Sequence, residues 1–127
     1  MLILTENDKI QVVLAGAITA NQLQCVACFE NVEGENNVLG NSVVNTNSTT
    51  VVDLIGKPAN DVYRVIDFIS VYNTDTASAT VTISFNANSV SKTLFKVALA
   101  AGDVIQYTAG GGFCVINANG GIRSVGL

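Results

Sequence analysis

Apolar and polar residues alternate with a period of two along much of this chain. The clearest example runs from Ala79 to Ala87, where the odd-numbered positions are apolar and the even-numbered positions are polar. Successive side chains of a strand point to opposite faces, so this pattern predicts a half-buried antiparallel strand with Val81, Ile83 and Phe85 facing the core. No segment shows convincing helical periodicity with caps.

Further strands are predicted from the same pattern and from β-branched and aromatic residues. Residues 63–72 contain few polar positions, which predicts a central strand buried on both faces. Residues 92–99 carry two lysines, which is typical of an edge strand. The remaining predicted strands are residues 9–15, 22–29, 49–55, 104–108, 113–116 and 122–125.

The connections are predicted from turn-forming residues. Residues 73–78, rich in Asn, Thr, Asp and Ser, predict a hairpin between the strands on either side. Residues 30–48 contain three glutamates and many asparagines, and they predict a long polar loop with one short irregular strand near Val43. Loops of this length are often functional, so this segment is either a candidate for binding or a mobile connection without a role.

Many short strands with turn signals about every 8–12 residues predict an all-β fold. We expect a single antiparallel β-sandwich of the jelly-roll or immunoglobulin-like type, with a small barrel as the alternative. The length of 127 residues fits one domain over residues 1–127, with the polar loop around residues 30–48 as its main excursion.

Composition narrows the classes of function. Only 13% of residues are charged and the net charge is −4, which argues against binding to nucleic acid. No apolar run approaches the roughly 20 residues of a membrane helix, and the N-terminus lacks a basic signal region, so we expect synthesis in a cytosol and no membrane partner. The chain has no His, the commonest general base and metal ligand. We therefore expect neither enzymatic activity nor a cofactor.

The spacing of Cys25 and Cys28 matches C-x-x-C. On a strand these two side chains would point to opposite faces and could not chelate one metal ion. Only Cys114 remains and no His is present, so a four-ligand zinc site cannot be assembled. We expect no catalytic or metal role for these cysteines, which as free thiols behave as small buried hydrophobes.

One acidic residue lies within the most apolar predicted strand. Asp67 stands between Ile66 and Phe68, which makes it a candidate buried acid. Such a carboxylate usually accepts a backbone N–H or pairs with a cation, and Arg64 is the nearest one in the sequence. A structural role is therefore favoured over catalysis for Asp67.

Three groups of short phrases carry a resemblance to a known class. They are residues 2–5 with 8–13, residues 68–75 with 79–83, and residues 92–107 closed by Gly112 and Phe113. In these phrases the chain resembles small structural proteins from the virion gene clusters of tailed bacteriophages. The resemblance implies a small β-sandwich that decorates heads, forms fibres or builds tail parts, and it supplies no functional residue.

On this resemblance we expect a virion structural protein, made in the cytoplasm of the host bacterium. The first expectation is a capsid decoration or head-fibre component that acts through protein–protein assembly. The alternatives are a tail, adaptor or fibre-tip module that contacts the host, and a stand-alone carbohydrate-binding module. The expected partners are further copies of the chain, with a trimer favoured, and the major capsid or other virion proteins.

The apolar N-terminus is the candidate partner-binding segment. Met1, Leu2, Ile3 and Leu4 form a short strand-like run, and such a run can add to the sheet edge of a neighbouring subunit. We expect deletion of residues 1–5 to weaken assembly.

Overall fold

The computed structural model describes residues 1–123, and these form two antiparallel sheets that pack face to face. The strands are β1 Leu2–Leu4, β2 Asp8–Leu14, β3 Gln24–Glu33, β4 Asn36–Asn45, β5 Val52–Ile55, β6 Tyr63–Tyr72, β7 Ala79–Ala87, β8 Val90–Leu99, β9 Val104–Thr108, β10 Gly112–Ile116 and β11 Ile122–Arg123. The predicted all-β sandwich is thus confirmed.

The larger sheet has the order β11-β10-β9-β6-β3-β4, and the smaller sheet has the order β5-β2-β7-β8. The short strand β1 pairs with the first half of β6, on the edge that β9 occupies in the second half. Both sheets keep two free edges in the described residues, so the alternative of a small closed barrel is not formed.

The core lies between the two sheets and follows the predicted alternation. In β2 the buried side chains are Ile10, Val12 and Leu14, and in β7 they include Val81 and Ile83. Removing each such aliphatic side chain from water contributes about 1.5–3 kcal/mol to folding. The inward residues of the two sheets therefore supply the main stabilisation of the sandwich.

The central strand β6 contains a bulge that explains its almost continuous apolar sequence. Ile66 and Ile69 are both fully buried although they are three positions apart. The register with β3 shifts at this point, because Cys28 pairs with Phe68 and Phe29 pairs with Ile66. Asp67 is the extra residue of the bulge. After it the alternation starts again, so that Phe68 points outward and Ile69 points into the core. The central position of β6 is confirmed, whereas its predicted burial on both faces is wrong.

Residues 30–48 are mostly strand, so the predicted long polar loop is wrong. β3 continues to Glu33, β4 begins at Asn36, and a two-residue turn joins them. Gly34 takes a φ of +64° at the first turn position, where a tight hairpin favours glycine. The polar composition misled the prediction because most of this hairpin is exposed and buries few apolar side chains.

The segment between β6 and β7 crosses from one sheet to the other, so the predicted hairpin over residues 73–78 is wrong. β6 belongs to the larger sheet and β7 to the smaller sheet. The polar side chains of this segment form hydrogen bonds to the backbone of the crossing segment and of neighbouring elements, and they do not close a tight turn. The Asn73 side-chain N–H groups, for example, donate to the carbonyls of Ala77 and Leu99.

The remaining strands lie close to their predicted positions. β8 is an edge strand, as predicted, but it begins at Val90 after a turn in which Asn88 and Ser89 both have positive φ. Two consecutive positive φ angles are typical of a type I′ hairpin turn. Part of the predicted strand over residues 122–125 lies outside the described residues, and its described part is β11.

Candidate functional site: the outer face of the larger sheet

The outer face of the larger sheet carries many apolar side chains, set among Asn, Gln, Ser and Thr residues. The register places Val26 beside Val43, and it places Cys28 beside Phe68 on the same face. In a further row Ile3 lies beside Val65, and the Glu30 side chain separates Val65 from Leu39. The apolar and aromatic residues that this register directs outward are Ile3, Val26, Val32, Leu39, Val43, Tyr63, Val65, Phe68, Tyr72, Val104, Ile116 and Ile122.

Many of these side chains are open to solvent. Leu39 is 75% exposed, Val43 is 73% exposed and Tyr63 is 57% exposed. Soluble monomers rarely expose contiguous apolar patches of more than a few hundred Å², and larger ones mark interaction sites. This surface, which we call the apolar face, is therefore the candidate functional site.

The apolar face carries two carboxylates and, in the described strands, no cation. Glu30 points outward from β3, and the bulge turns Asp67 to the same side as Phe68. The Arg64 side chain is directed to the inner side of the larger sheet, and the lysines that lie in strands belong to the smaller sheet. A protein surface with this composition matches the low-charge centre of a protein interface.

The outer face of the smaller sheet has the opposite character. Thr80, Thr82 and Ser84 point outward from β7 between buried residues, and the register sets Lys96 beside Thr82. Asp53 accepts a hydrogen bond from the Gln11 side chain, which lowers the pKa of its carboxyl, and it also pairs with Lys9. This second surface, which we call the polar face, has the composition of an ordinary solvated surface.

A shallow depression lies on the apolar face at the bulge. Its volume is about 340 Å³, and Cys28, Leu39, Asn41 and Asp67 are among its lining residues. Asp67, the candidate buried acid, is only half-buried, because the bulge turns its side chain outward. The hydrogen bond found at this residue uses its backbone carbonyl, which accepts the N–H of Ala109.

The N-terminal segment is paired within its own chain. Leu2, Ile3 and Leu4 pair with β6, and the Leu2 N–H donates to the Tyr107 hydroxyl at 3.0 Å. Leu4 is fully buried in the core, whereas Met1 and Ile3 remain exposed. Ile3 adds to the apolar face, and exchange of this strand with a neighbouring subunit stays a prediction.

The cysteines are separated by the sheet. Cys25 points into the core and is fully buried, and its neighbour Cys28 points to the apolar face, as the alternation predicts. Burial raises the pKa of the Cys25 thiol to about 12, so this residue is not a nucleophile at neutral pH. Cys114 also points outward, from β10, and all three are free thiols.

One end of the sandwich is closed by buried carboxylates that bind backbone N–H groups. Asp75 accepts the N–H groups of Thr19, Ala20 and Asn21. The hydrogen bond from Thr19 contributes most to lowering the pKa of the Asp75 carboxyl, which falls to about 2. These donors occupy the carboxylate oxygens, so the arrangement is structural and holds loops to the strands.

Asp103 has a similar role beside it. Its carboxylate accepts the N–H groups of Ala100 and Ala118, and it pairs with Arg123 at 3.1 Å. The Arg123 guanidinium also donates to the Ala98 carbonyl. These bonds connect β11 to the turn between β8 and β9, so Asp103 also serves the fold.

Arg64, Phe29 and Gly40 form a second internal cluster, on the inward side of β6, β3 and β4. The Arg64 guanidinium lies 4.2 Å from the centre of the Phe29 ring and donates to the Asn31 side chain and the Gly56 carbonyl. Gly40 gives the ring its space, because a Cβ there would lie 2.6 Å from Phe29 Cε2. Cation–π contact and hydrogen bonding thus satisfy Arg64 inside the fold.

In residues 1–123, no three Cys, Asp or Glu side chains are grouped so that they could hold a metal ion. The same residues contain no helix long and apolar enough to cross a membrane. No protein-family model matches the chain, and comparison with curated proteins and with solved structures finds no significant match.

Sequence reasoning missed the apolar face, although a signal for it was present. The near-continuous apolar run of β6 predicts burial on both sides of the strand. In the described residues, the smaller sheet covers only the inward side of β6. Phe68 and Tyr72 are directed outward. In a two-layer fold, a strand that is apolar on both faces is therefore the sequence signal of an exposed apolar sheet face.

Proposed function

We propose that this protein is a structural subunit of a tailed-bacteriophage virion, a capsid decoration or head-fibre component that acts by protein–protein assembly. The observation that carries the proposal is the difference between the two outer faces of the sandwich. One face carries most of the exposed large apolar side chains of the described residues, among them Leu39, Val43 and Tyr63, and the other is rich in Thr, Ser and Lys. In the assembled particle the apolar face packs on a neighbouring virion protein, and the polar face is turned to solvent.

The energetics support a protein surface as the occupant of the apolar face. Burial of apolar surface contributes about 25 cal/mol per Å², and a face lined by aliphatic and aromatic side chains supplies this without directional chemistry. Glu30 and Asp67 are the carboxylates on this face, so a complementary partner offers a Lys, an Arg or hydrogen-bond donors at those two points. An anionic nucleic acid would be repelled there.

A carbohydrate-binding role has less support from the structure. The exposed tyrosines Tyr63 and Tyr72 stand at opposite ends of β6, about 30 Å apart at the rise of an extended strand, so they do not form one stacking platform. Tyr107 is buried and accepts the Leu2 N–H. A tail or fibre-tip location uses the same docking principle as a head location, and the position of the protein in purified particles separates the two.

The proposal is tested by locating the protein in particles. Phage particles purified from the bacterium that carries the gene are analysed by quantitative mass spectrometry and by immunogold electron microscopy. We expect stoichiometric amounts in the particle and label on the head. Label confined to the tail would support the tail alternative, and the absence of the protein from purified particles would refute the virion proposal.

The docking surface is tested with one variant on each face. Tyr63→Lys places a charge on the apolar face, and Thr82→Lys places the same charge on the polar face. We expect Tyr63→Lys to lower incorporation into particles at least about tenfold, because a desolvated lysine opposes docking, and Thr82→Lys to incorporate normally. Equal incorporation of the two variants would contradict docking through the apolar face.

A further inference from the structure

In residues 1–123 the outermost strands of the two sheets, β4, β5, β8 and β11, differ in how their open edges are protected. An edge strand presents unpaired backbone groups that can pair with another chain, and proteins commonly block this with lysines, prolines, bulges or short strands. Edge strand β8 carries Lys92 and Lys96 and has a register shift with β7. Edge strand β5 has four residues and is soon followed by Lys57 and Pro58. The described part of β11 has two residues.

Edge strand β4 has none of these protections. It has ten residues, it contains no charged residue and no proline, and its pairing with β3 runs without a register shift. Its side chains are exposed on both faces, with Val38 at 49%, Leu39 at 75% and Val43 at 73%. Such an edge is a site for pairing with another extended segment.

The hairpin geometry shows which backbone groups of β4 are available. A two-residue turn closes on a hydrogen-bonded pair, here Glu33 with Asn36, and hydrogen-bonded pairs then alternate along the ladder. The even-numbered residues of β4 therefore bond to β3. The odd-numbered residues from Asn37 to Asn45 direct their N–H and C=O groups to the free edge.

We propose that β4 pairs antiparallel with β4 of a second copy of this chain, about a two-fold axis at Asn41. Directly opposite residues of an antiparallel pair have their side chains on the same face of the sheet. With a two-fold axis perpendicular to the sheet, odd-numbered residues of one copy therefore lie opposite odd-numbered residues of the other, so the two residue numbers of each pair have an even sum. The axis at Asn41 pairs Asn37 with Asn45 of the second copy. It makes about ten backbone hydrogen bonds and joins the two larger sheets into one.

The side chains of β4 specify this register. On the outer face Leu39 lies against Val43 of the second copy and Val43 against its Leu39. On the inner face Val38 lies against Val44 in the same way. Apolar residues thus meet apolar residues and asparagines meet asparagines at the paired positions. The neighbouring register, with its axis at Gly40, would set Leu39 against Asn41 and Val38 against Ser42.

The occupant is a second copy because this register is self-complementary. Pairing across a two-fold axis uses the same edge of both copies and leaves no further β4 edge open, so the assembly is closed. The inference stands on β4 alone and does not depend on a virion location. A dimer also differs from the trimer that the phage resemblance favours.

The first test is the mass of the purified full-length protein by light scattering on a sizing column, over a range of concentrations. We expect a dimer. We expect Val43→Lys to raise its dissociation constant at least about tenfold, because the charge is set against Leu39 of the second copy. The matched control is Val90→Lys on edge strand β8, where Val90 is 55% exposed, and it should remain a dimer.

A backbone variant tests the edge itself. Asn41→Pro removes an N–H that points to the free edge, and proline is tolerated at such a position because the bonds to β3 are kept. We expect Asn41→Pro to be folded by circular dichroism and to be monomeric. If it does not fold, Val43→Lys carries the test, because Val43 is exposed and outside the core.

A cysteine cross-link tests the register. Cys28 lies opposite Asn41 on β3, so the variants are made with Cys28→Ser to prevent a bond within one chain. Asn41→Cys should form a disulfide-linked dimer on mild oxidation, because the two Cα atoms meet at the axis at about 5.5 Å. Asn45→Cys should not, because its two copies are separated by about 26 Å along the strands.

The outcomes decide the proposal. A monomeric wild type, a trimer or ring, or a dimer unaffected by Val43→Lys would overturn it. A cross-link through Asn45→Cys in place of Asn41→Cys would overturn the register. Failure of the dimer would leave incorporation into particles to be measured separately, so this inference and the virion proposal can fail independently.

Discussion

The carboxylate of Asp75 accepts the backbone N–H of Thr19 at 2.8 Å, across 56 positions of the chain. The same carboxylate accepts the N–H groups of Ala20, Asn21 and Thr76. One side chain between β6 and β7 therefore fixes the connection between β2 and β3. The crossing between the two sheets depends on these bonds.

We expect Asp75→Asn to lower Tm by at least about 5 °C. Asparagine keeps the size of the side chain but replaces one acceptor oxygen with an NH₂ group, which faces N–H donors it cannot satisfy. The measurement is thermal unfolding followed by circular dichroism. Asp61→Asn is the matched control, since Asp61 is exposed and its positive φ is tolerated by asparagine. Equal Tm values for the two variants would contradict the structural role of Asp75.

The lowered pKa of Asp75 predicts an acid limit of stability. Its carboxyl has a pKa of about 2 in the folded chain, against an ordinary value of 3.8. A lowered folded pKa gives stability that is fully present above pH 4 and is lost as the pH falls towards 2. Urea unfolding between pH 5 and pH 2 should therefore show a steeper decline for the wild type than for Asp75→Asn. Parallel declines would show that other carboxyls control the acid limit.

We expect Gly40→Ala to destabilise the fold by about 1–3 kcal/mol. The added Cβ would lie 2.6 Å from Phe29 Cε2, and the ring cannot move freely because the Arg64 guanidinium lies over it. Gly16→Ala is the control, since a Cβ at Gly16 meets no atom within 4 Å. Chemical unfolding measures both variants. In the background of Phe29→Leu, Gly40→Ala should cost less, and an unchanged cost would exclude the clash as the cause.

Leu4 and Ile3 lie on opposite sides of β1, so we expect their substitution by alanine to have different costs in stability. Leu4 is fully buried, so we expect Leu4→Ala to cost about 2–4 kcal/mol in unfolding free energy. Ile3 is 46% exposed on the apolar face, so Ile3→Ala should cost less than about 1 kcal/mol. Similar costs would indicate a different register of β1 on β6. Because Leu4 is a core residue, deleting residues 1–5 tests folding as well as assembly, and Ile3→Lys is the cleaner test of partner binding.

The sequence predicts strands well where one face is buried and alternation is strict. Residues 79–87 form β7 with the predicted bounds and with Val81 and Ile83 inward. The hairpin of β3 and β4 was missed because an exposed hairpin gives no such alternation. Gly34 was its one local signal, and composition rich in Asn and Glu outweighed it.

Long-range features were less predictable. The bulge at Asp67 is visible only from the pairing of β6 with β3, and it decides that Asp67 faces outward. Likewise, Asn73 and Asp75 have the composition of a hairpin turn, but their partners Leu99 and Thr19 lie far away in the chain. The apolar face follows from which strands share a sheet, and the spacing of strands does not determine this.

The cysteines offer a test of strand orientation in solution. Cys25 is fully buried and its thiol has a pKa of about 12, so it has neither access to reagent nor a useful thiolate fraction at pH 7.5. Cys28 lies three positions later but points to the apolar face, where it is half-buried. We expect iodoacetamide to label Cys28 and Cys114 in the native protein and to label Cys25 only in denaturant. Mass spectrometry of the peptides assigns each site. Native labelling of Cys25 at the rate of Cys28 would mean that β3 does not present these residues to opposite faces.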